Sequence, residues 1–281
     1  MGKKILLPTD FSKNSWNAIQ YAMTLFANQA CDFYILNAYI KESYGLDSLN
    51  RLDPDEAFNK LSENRSKEGL GDIMKRLTFA DENRNHRFHV LSRSTLFINA
   101  IKDVVAEMHI DMIIMSAKGM ANEREGKYGK NTLAVIENVR KCPVLVVPKN
   151  VTLDWPEEIV LATNFNTDFK NSEVKYLAEI AKMTGASIQV LSLADNGTLT
   201  PQQKNNKIRL RKYFKDVDHS FNVIHNVKMA DALSCFVEIR HSNMISYIDK
   251  KPSFWERLGF GKPTLGKLGY FKDVPVLALH G

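Results

Sequence analysis

Three segments of the chain carry residue types that suit the binding of a polar, anionic ligand. Pro8-Thr9-Asp10 follows an apolar run at 5–7 and ends in a carboxylate, which accepts hydrogen bonds from hydroxyl groups such as those of a ribose. Asn37-Ala38 follows a second apolar run, and residues 116–132 form a long, glycine-containing loop. The chemistry that these segments predict is recognition of hydroxyl groups and of an anion.

The loop at 116–132 has the composition of a phosphate-binding loop. Gly119 and Gly129 permit positive φ and close approach of the backbone to a ligand. A helix is predicted directly after Gly129, and the first turn of a helix offers free N–H groups and a positive dipole end. Basic residues outnumber acidic ones here: Lys118, Arg124, Lys127 and Lys130 against Glu123 and Glu125.

The sequence carries no recognisable catalytic or metal-binding signature. It has no G-x-S-x-G elbow, no Walker lysine loop and no H-E-x-x-H motif. His86 and His89 are close in sequence, but local hydrogen bonding explains them better than a metal does. The three cysteines are scattered without metal-ligand spacing, so we interpret them as reduced, buried thiols.

An internal repeat organises the whole chain. The segment Ile5-Leu6-Leu7-Pro8-Thr9-Asp10-Phe11-Ser12 reappears as Ile159-Val160-Leu161-Ala162-Thr163-Asn164-Phe165-Asn166. Four further segments recur in the same order, at 34–37 and 188–192, 86–91 and 219–224, 111–114 and 243–246, and 143–147 and 275–279. The chain is therefore read as two copies of one domain, at 1–148 and 149–281, joined by a proline-containing linker at 148–158.

Each copy alternates short apolar runs with helical periodicity, which is typical of a doubly wound parallel sheet covered on both faces. The ligand crevice of such a sheet lies at the carboxyl ends of its strands. The first copy is predicted to contain strands at 5–7, 33–39, 87–92, 111–115 and 143–147, and helices at 13–29, 55–78, 95–108 and 131–140. In the second copy, the connection between its second and third strands is shorter by about twenty residues.

Composition and charge exclude several classes of protein. The chain has 281 residues, of which 44% are hydrophobic and 25% charged, so it is globular rather than disordered. No apolar run approaches the ~20 residues that cross a bilayer, and we expect a cytoplasmic protein without a membrane partner. The net charge of +6 is mild, and the cluster at 204–215 is interpreted as a solvated helix face rather than a nucleic-acid site.

The residues quoted above resemble the universal stress protein family. The run PTDFS, the strand DMIIM with its glycine loop, and the closing CPVLVVP carry the resemblance, and the repetition makes the chain similar to tandem members. The resemblance implies two Rossmann-like domains of the adenine nucleotide alpha hydrolase type that form a pseudo-dimer. The closing strands at 143–147 and 275–279 would then pair and cover two sheet edges. A further homodimer of chains is left open.

Some members of this family bind ATP through a pattern of Gly, two residues, Gly, nine residues, Gly and a hydroxyl residue. Here the spacing is kept, but Ser116 replaces the first glycine and Lys130 the hydroxyl residue. The resemblance places Pro8, Thr9 and Asp10 around base and ribose, and Ala38 and Met115 near the base. Phosphate contacts are expected from the loop and the helix start: Ser116, Lys118, Gly119, Gly129, Lys130, Asn131 and Thr132.

The function implied by the resemblance is a non-catalytic role in the stress response. The first copy is expected to bind ATP or another adenine nucleotide, with Mg²⁺, and to signal through protein contacts. Two alternatives stay open: a slow ATPase or nucleotide-handling hydrolase that uses Asp10 and the lysine loop, and a ligand-free interaction scaffold. The second copy has Asn164 in place of the carboxylate and no glycine loop, so no nucleotide is expected there. Its aromatic residues at 254–260 are interpreted as an apolar plug.

Overall fold

The computed structural model describes residues 2–40, 54–119, 127–166, 168–194, 199–225, 227–250, 265 and 268–280. The predicted aromatic plug at 254–260 and Arg124 lie outside these residues. The first half alternates strands and helices in the order β1 (Lys3–Pro8), α1 (Lys13–Leu25), β2 (Cys31–Tyr39), α2 (Pro54–Ala80), β3 (His86–Ser94), α3 (Phe97–Met108), β4 (Met112–Ser116), α4 (Lys130–Asn138) and β5 (Val144–Val147).

The second half repeats this order with one helix fewer among the described residues. Its elements are β6 (Glu158–Thr163), α5 (Asn171–Thr184), β7 (Ser187–Ala194), α6 (Pro201–Tyr213), β8 (His219–His225), α7 (Met229–Arg240), β9 (Met244–Asp249) and β10 (Val276–His280). The shorter connection expected in the second copy is visible as α6, which has 13 residues where α2 has 27.

Within the described residues, ten strands form one sheet in the order β3-β2-β1-β4-β5-β10-β9-β6-β7-β8. Each half is parallel throughout: Ile5, for example, pairs with Phe33 of β2 and with Met112 of β4. The halves meet where β10 pairs antiparallel with β5, with Val276 opposite Val146. The predicted α/β fold with doubly wound parallel sheets is confirmed, and the β5–β10 pairing covers two strand edges that would otherwise be open.

Two layers of helices bury the two faces of this sheet. Side chains of α1, α2, α5 and α6 form one apolar cluster, and side chains of α3, α4 and α7 form the other. The central strands are apolar on both faces and are fully buried, as at Ile113 and Ile114 of β4, which explains why their sequence reads as continuous hydrophobic runs.

The backbone repeats in the same places as the sequence. Among the described residues, positive φ occurs at four residues other than glycine, and they form two corresponding pairs. Phe11 (64°) and Phe165 (57°) follow β1 and β6, while His109 and His241 (both 55°) end α3 and α7. Because such a conformation is costly for a bulky side chain, its recurrence indicates that both halves use one chain path.

One predicted boundary differs clearly from the structure. The first helix was expected to extend to Gln29 but ends at Leu25, where the N–H of the cap residue Phe26 donates to Ala22 O and Thr24 O. The sequence has no glycine or proline at this point to mark the end.

Candidate functional site

A cavity of about 830 Å³ opens at the carboxyl ends of β1, β2 and β4. The first turns of α1, α3 and α4 border it, so three helix N-termini with partial positive charge converge on one space. Its volume is within the usual range for small-molecule sites. The lining residues are Pro8, Thr9, Asp10, Ser15, Asn37, Ala38, Phe97, Met115, Ser116, Gly119, Gly129, Lys130, Asn131 and Thr132.

Eleven of the twelve residues that the sequence predicted for the site line this cavity, and Lys118 is the exception. They come together because the carboxyl ends of parallel strands meet at one edge of the sheet. Three lining residues were missed as site residues: Ser15, Asn37 and Phe97. Asn37 was flagged as the residue after the second strand, whereas Phe97 and Ser15 gave no signal beyond their places at helix starts.

The turn from β1 into α1 is fixed by a dense set of hydrogen bonds. The Thr9 hydroxyl accepts from the N–H of Phe11 (3.0 Å) and lies 3.0 Å from Ser15 Oγ, and the Thr9 carbonyl accepts from Asn37 Nδ2 (2.9 Å). Ser12 caps α1 by accepting from the N–H of Ser15 at 3.2 Å. Thr9 is buried and internally bonded, so it shapes the cavity wall rather than presenting a hydroxyl group to a ligand.

Asp10 is the exposed carboxylate of the site. Its Oδ1 accepts from the N–H of Ser12 (3.1 Å) and from Ser12 Oγ (2.6 Å), which fixes the orientation of the group. Its Oδ2 faces Gly119, where an added Cβ would lie only 2.8 Å away. A side chain at 119 would therefore displace the carboxylate of Asp10 from its present position, which its two bonds to Ser12 hold.

The other loop glycine, Gly129, begins α4. Its N–H donates to the carbonyl of Ala117 (2.8 Å), and the first intrahelical bond runs from Leu133 N to Gly129 O (3.1 Å). The N–H groups of residues 130–132 precede that bond and have no partner within the helix. Lys130 and Asn131 are exposed at this helix start, which combines backbone donors with a positive charge.

Thr132 lines the cavity, but its side chain is already hydrogen-bonded within the protein. It is 2% exposed, and its hydroxyl donates to the carbonyl oxygens of Ser116 (3.0 Å) and Ala117 (3.3 Å). This bond ties the start of α4 to the end of β4. The donor that Thr132 can offer to an anion is its backbone N–H.

Lys118 points to the second half instead of into the cavity. Its Nζ lies 4.9 Å from the centre of the Tyr270 ring, and its carbonyl accepts from Asn14 Nδ2 at 3.3 Å. The charge pattern of the sequence predicted a cation at this loop. It could not predict where the Lys118 side chain points, because that depends on how the second half packs against the loop. Burial raises the pKa of Tyr270, and the nearby Asp273 carboxylate adds to the shift.

The corresponding strand ends of the second half are occupied by ion pairs. Lys250 Nζ contacts the fully buried carboxylate of Glu173, and Arg140 of the first half bonds both the carboxylate of Asp249 (2.5 Å) and its carbonyl oxygen. At the turn after β6, Gln203 Nε2 donates to the Asn164 carbonyl at 2.9 Å. Charged side chains thus pair with one another at strand ends that correspond to the cavity of the first half.

The described part of the chain has neither a metal-binding cluster nor a membrane-spanning helix. No three His, Cys, Asp or Glu side chains there come close enough to hold a metal ion together. None of the helices in the described ranges has the length and apolar character needed to span a bilayer.

Comparisons with known proteins agree with this architecture. Residues 1–148 match the model of the universal stress protein family. A universal stress protein of Synechocystis sp. is 29% identical over 149 residues, which are 53% of this chain and 87% of that protein.

Two solved structures are similar in fold over 99% of this chain. One is a universal stress protein from Archaeoglobus fulgidus, at a TM-score of 0.68 and 15% identity, with 96% of that chain covered. The other is a functionally unknown protein from Pseudomonas aeruginosa PAO1, at a TM-score of 0.56 and 11% identity, with 92% covered. Because the family match spans more than half of its residues, this chain belongs to the universal stress protein family.

Proposed function

We propose that the first half binds an adenine nucleotide, ATP in the first instance, in the cavity between β1, β4 and the start of α4. The protein would act in the stress response without catalysis and would report the bound state through protein contacts. We further propose that it works in the cytoplasm and that its two domains are residues 1–148 and 149–281.

The observation that carries this proposal is the convergence of the predicted residues on one cavity. Asp10 is placed to accept bonds from ribose hydroxyls, while Ala38, Met115 and Phe97 offer an apolar wall for the flat base. The phosphates would bind at the first turn of α4, which offers three N–H groups and the charge of Lys130.

The positions of the two residues that depart from the family pattern also support the proposal. Ser116 is the last residue of β4 and is 8% exposed, so its side chain adds little bulk to the opening. Lys130 lies at the first position of α4 and is exposed, so it brings a positive charge to the place where a hydroxyl residue is expected.

Calorimetric titration of the full chain with ATP, ADP and AMP, with and without Mg²⁺, tests the proposal. We expect one equivalent of ATP to bind. Asp10→Asn should weaken binding about ten- to a hundredfold, because a charge-assisted hydrogen bond contributes about 1.5–3 kcal/mol.

The chain supplies a matched control in Asn164→Asp, which places a carboxylate at the corresponding turn of the second half and should leave the affinity unchanged. Absence of binding to the wild-type chain would overturn the proposal in favour of a ligand-free scaffold. Release of phosphate over many turnovers, lost in Asp10→Asn, would favour the slow ATPase instead.

A further inference from the structure

Tyr270 of the second half contacts both arms of the first half's glycine loop. Its ring lies under the ammonium of Lys118 at 4.9 Å and packs edge-on against Tyr128, with the ring centres 5.0 Å apart and the planes at 69°. Tyr128 is buried, at 7% exposure, so it is held firmly in this contact. The two geometries are those of a cation–π and an aromatic pair.

Tyr270 contacts two residues, and each of them is followed immediately by one of the two loop glycines. Lys118 is followed by Gly119, which passes the Asp10 carboxylate, and Tyr128 is followed by Gly129, which begins α4. The two arms are also close to each other, since Gly129 N donates to Ala117 O at 2.8 Å. A single ring of the second half therefore contacts both ends of the loop whose spacing defines the candidate phosphate site, beside the hydrogen bond that joins these ends directly.

The second half also holds the far end of α4. Arg140, two residues beyond the helix, bonds Asp249 at the end of β9, and both side chains are largely buried. The N-terminus of α4 lines the cavity, while contacts with the second half precede and follow the helix. The second half thus adds contacts at both ends of α4 to the bonds that join the start of this helix to β4.

We propose that Tyr270 is a positioning residue of the first-half site: its ring sets the separation of Gly119 and Gly129 for the phosphates of the ligand. This inference rests on the proposed nucleotide function and adds a role for the second half, which completes a site that it does not itself contain. The proposed base contacts, Ala38, Met115 and Phe97, lie on β2, β4 and α3, outside the loop ends that Tyr270 contacts. The effect of this ring on ligand affinity must therefore be larger for ligands that carry more phosphates.

The test compares Tyr270→Ala and Tyr270→Phe with Tyr176→Ala in titrations of the full chain with ATP and AMP. Tyr176 is a matched control, because it is also a partly buried second-half tyrosine under a first-half lysine, with Lys3 Nζ 5.7 Å from its ring centre. Lys3 lies at the opposite end of β1 from the cavity.

We expect Tyr270→Ala to weaken ATP binding about tenfold, since it loses an aromatic and a cation–π contact, and to weaken AMP binding less than threefold. Tyr270→Phe keeps the ring and should bind like the wild type, as should Tyr176→Ala. Without ligand, amide hydrogen exchange at 127–133 should be faster in Tyr270→Ala than in Tyr176→Ala.

Equal affinities of Tyr270→Ala and the wild type, or tighter binding by the variant, would overturn this inference and leave the proposed function intact. An equal loss in Tyr176→Ala would replace it with a general weakening of the contact between the halves. If the wild type binds no nucleotide, the proposed function fails and this inference fails with it. Should Tyr270→Ala not fold, Lys118→Met removes the same cation–π contact from the first half and must reproduce the selective loss for ATP.

Discussion

The ion pair between Arg140 and Asp249 gives a prediction about how the two halves depend on each other. The pair joins residues 109 positions apart, its side chains are 15% and 8% exposed, and the Nη1–Oδ2 distance is 2.5 Å. We compare the single variants Arg140→Met and Asp249→Asn with the double variant that carries both changes.

The expected loss of unfolding free energy follows from the distance between the two charges and from their burial. At 2.5 Å and an effective dielectric constant of about 20, the Coulomb attraction is about 6–7 kcal/mol, and desolvation of the two ions offsets most of it. Removal of one partner leaves the other charge buried without compensation, so each single variant should lose about 3–5 kcal/mol of unfolding free energy. The double variant removes both charges and should lose about 2–3 kcal/mol less than the sum of the singles.

Urea denaturation at pH 7, followed by circular dichroism, measures these free energies, provided that the slope of the transition is unchanged between variants. The exposed pair Lys75 and Asp72, whose side chains are 77% and 71% exposed, is the control and should show a coupling close to zero. Additive losses at Arg140 and Asp249, within about 0.5 kcal/mol, would refute the idea that this pair is a buried, coupled contact between the halves.

Two further predictions concern the site and the pH dependence. Gly119→Ala should weaken nucleotide binding about tenfold, because its Cβ would lie 2.8 Å from Asp10 Oδ2 and must displace a group that contributes a charge-assisted bond. The control Gly71→Ala meets no atom within 4 Å and, as a helical glycine, should raise the unfolding free energy by up to about 1 kcal/mol with unchanged affinity. Burial holds the pKa of His280 below its ordinary 6.5, so the unfolded chain takes up this proton first and the wild type loses stability as the pH falls below 6.5. Denaturation at pH 7.5 and 5.5 should show a smaller loss in His280→Asn, and an equal loss would show that other groups dominate.

The elements and most of the cavity could be predicted from the sequence because both depend on local pattern and chain order. Continuous apolar runs separated by helical periodicity specify a parallel sheet, and the residues just after its strands must share an edge. Pro8 and Ala38 were placed in this way, whereas Met115 was placed by the resemblance to the family. Ser15 was missed because a serine in a first turn is read as part of a cap.

Apart from the pairing of β5 with β10, which the family resemblance implied, the contacts between the halves could not be predicted from the sequence. Arg140 and Tyr270 belong to no recognisable motif. Arg140 pairs with Asp249, and Tyr270 with Lys118, and in each case the two residues are more than a hundred positions apart in the chain. Periodicity identifies the buried face of a helix, but the packing of one half on the other depends on the sum of many such faces. The direction of Lys118, toward a ring instead of the cavity, is a consequence of that packing.

The second half keeps the fold of the first half but has ion pairs at its strand ends. The turn after its first strand is retained, with Phe165 N donating to Thr163 Oγ1 at 3.1 Å as Phe11 N donates to Thr9. At its strand ends, Lys250 instead pairs with Glu173 and Asp249 pairs with Arg140 of the other half. An open site needs polar groups left for a ligand, whereas a supporting unit is more stable when those groups bond one another. The ion pair of Asp249 with Arg140 lies at a strand end of the second half and directly follows α4, so one contact serves both halves.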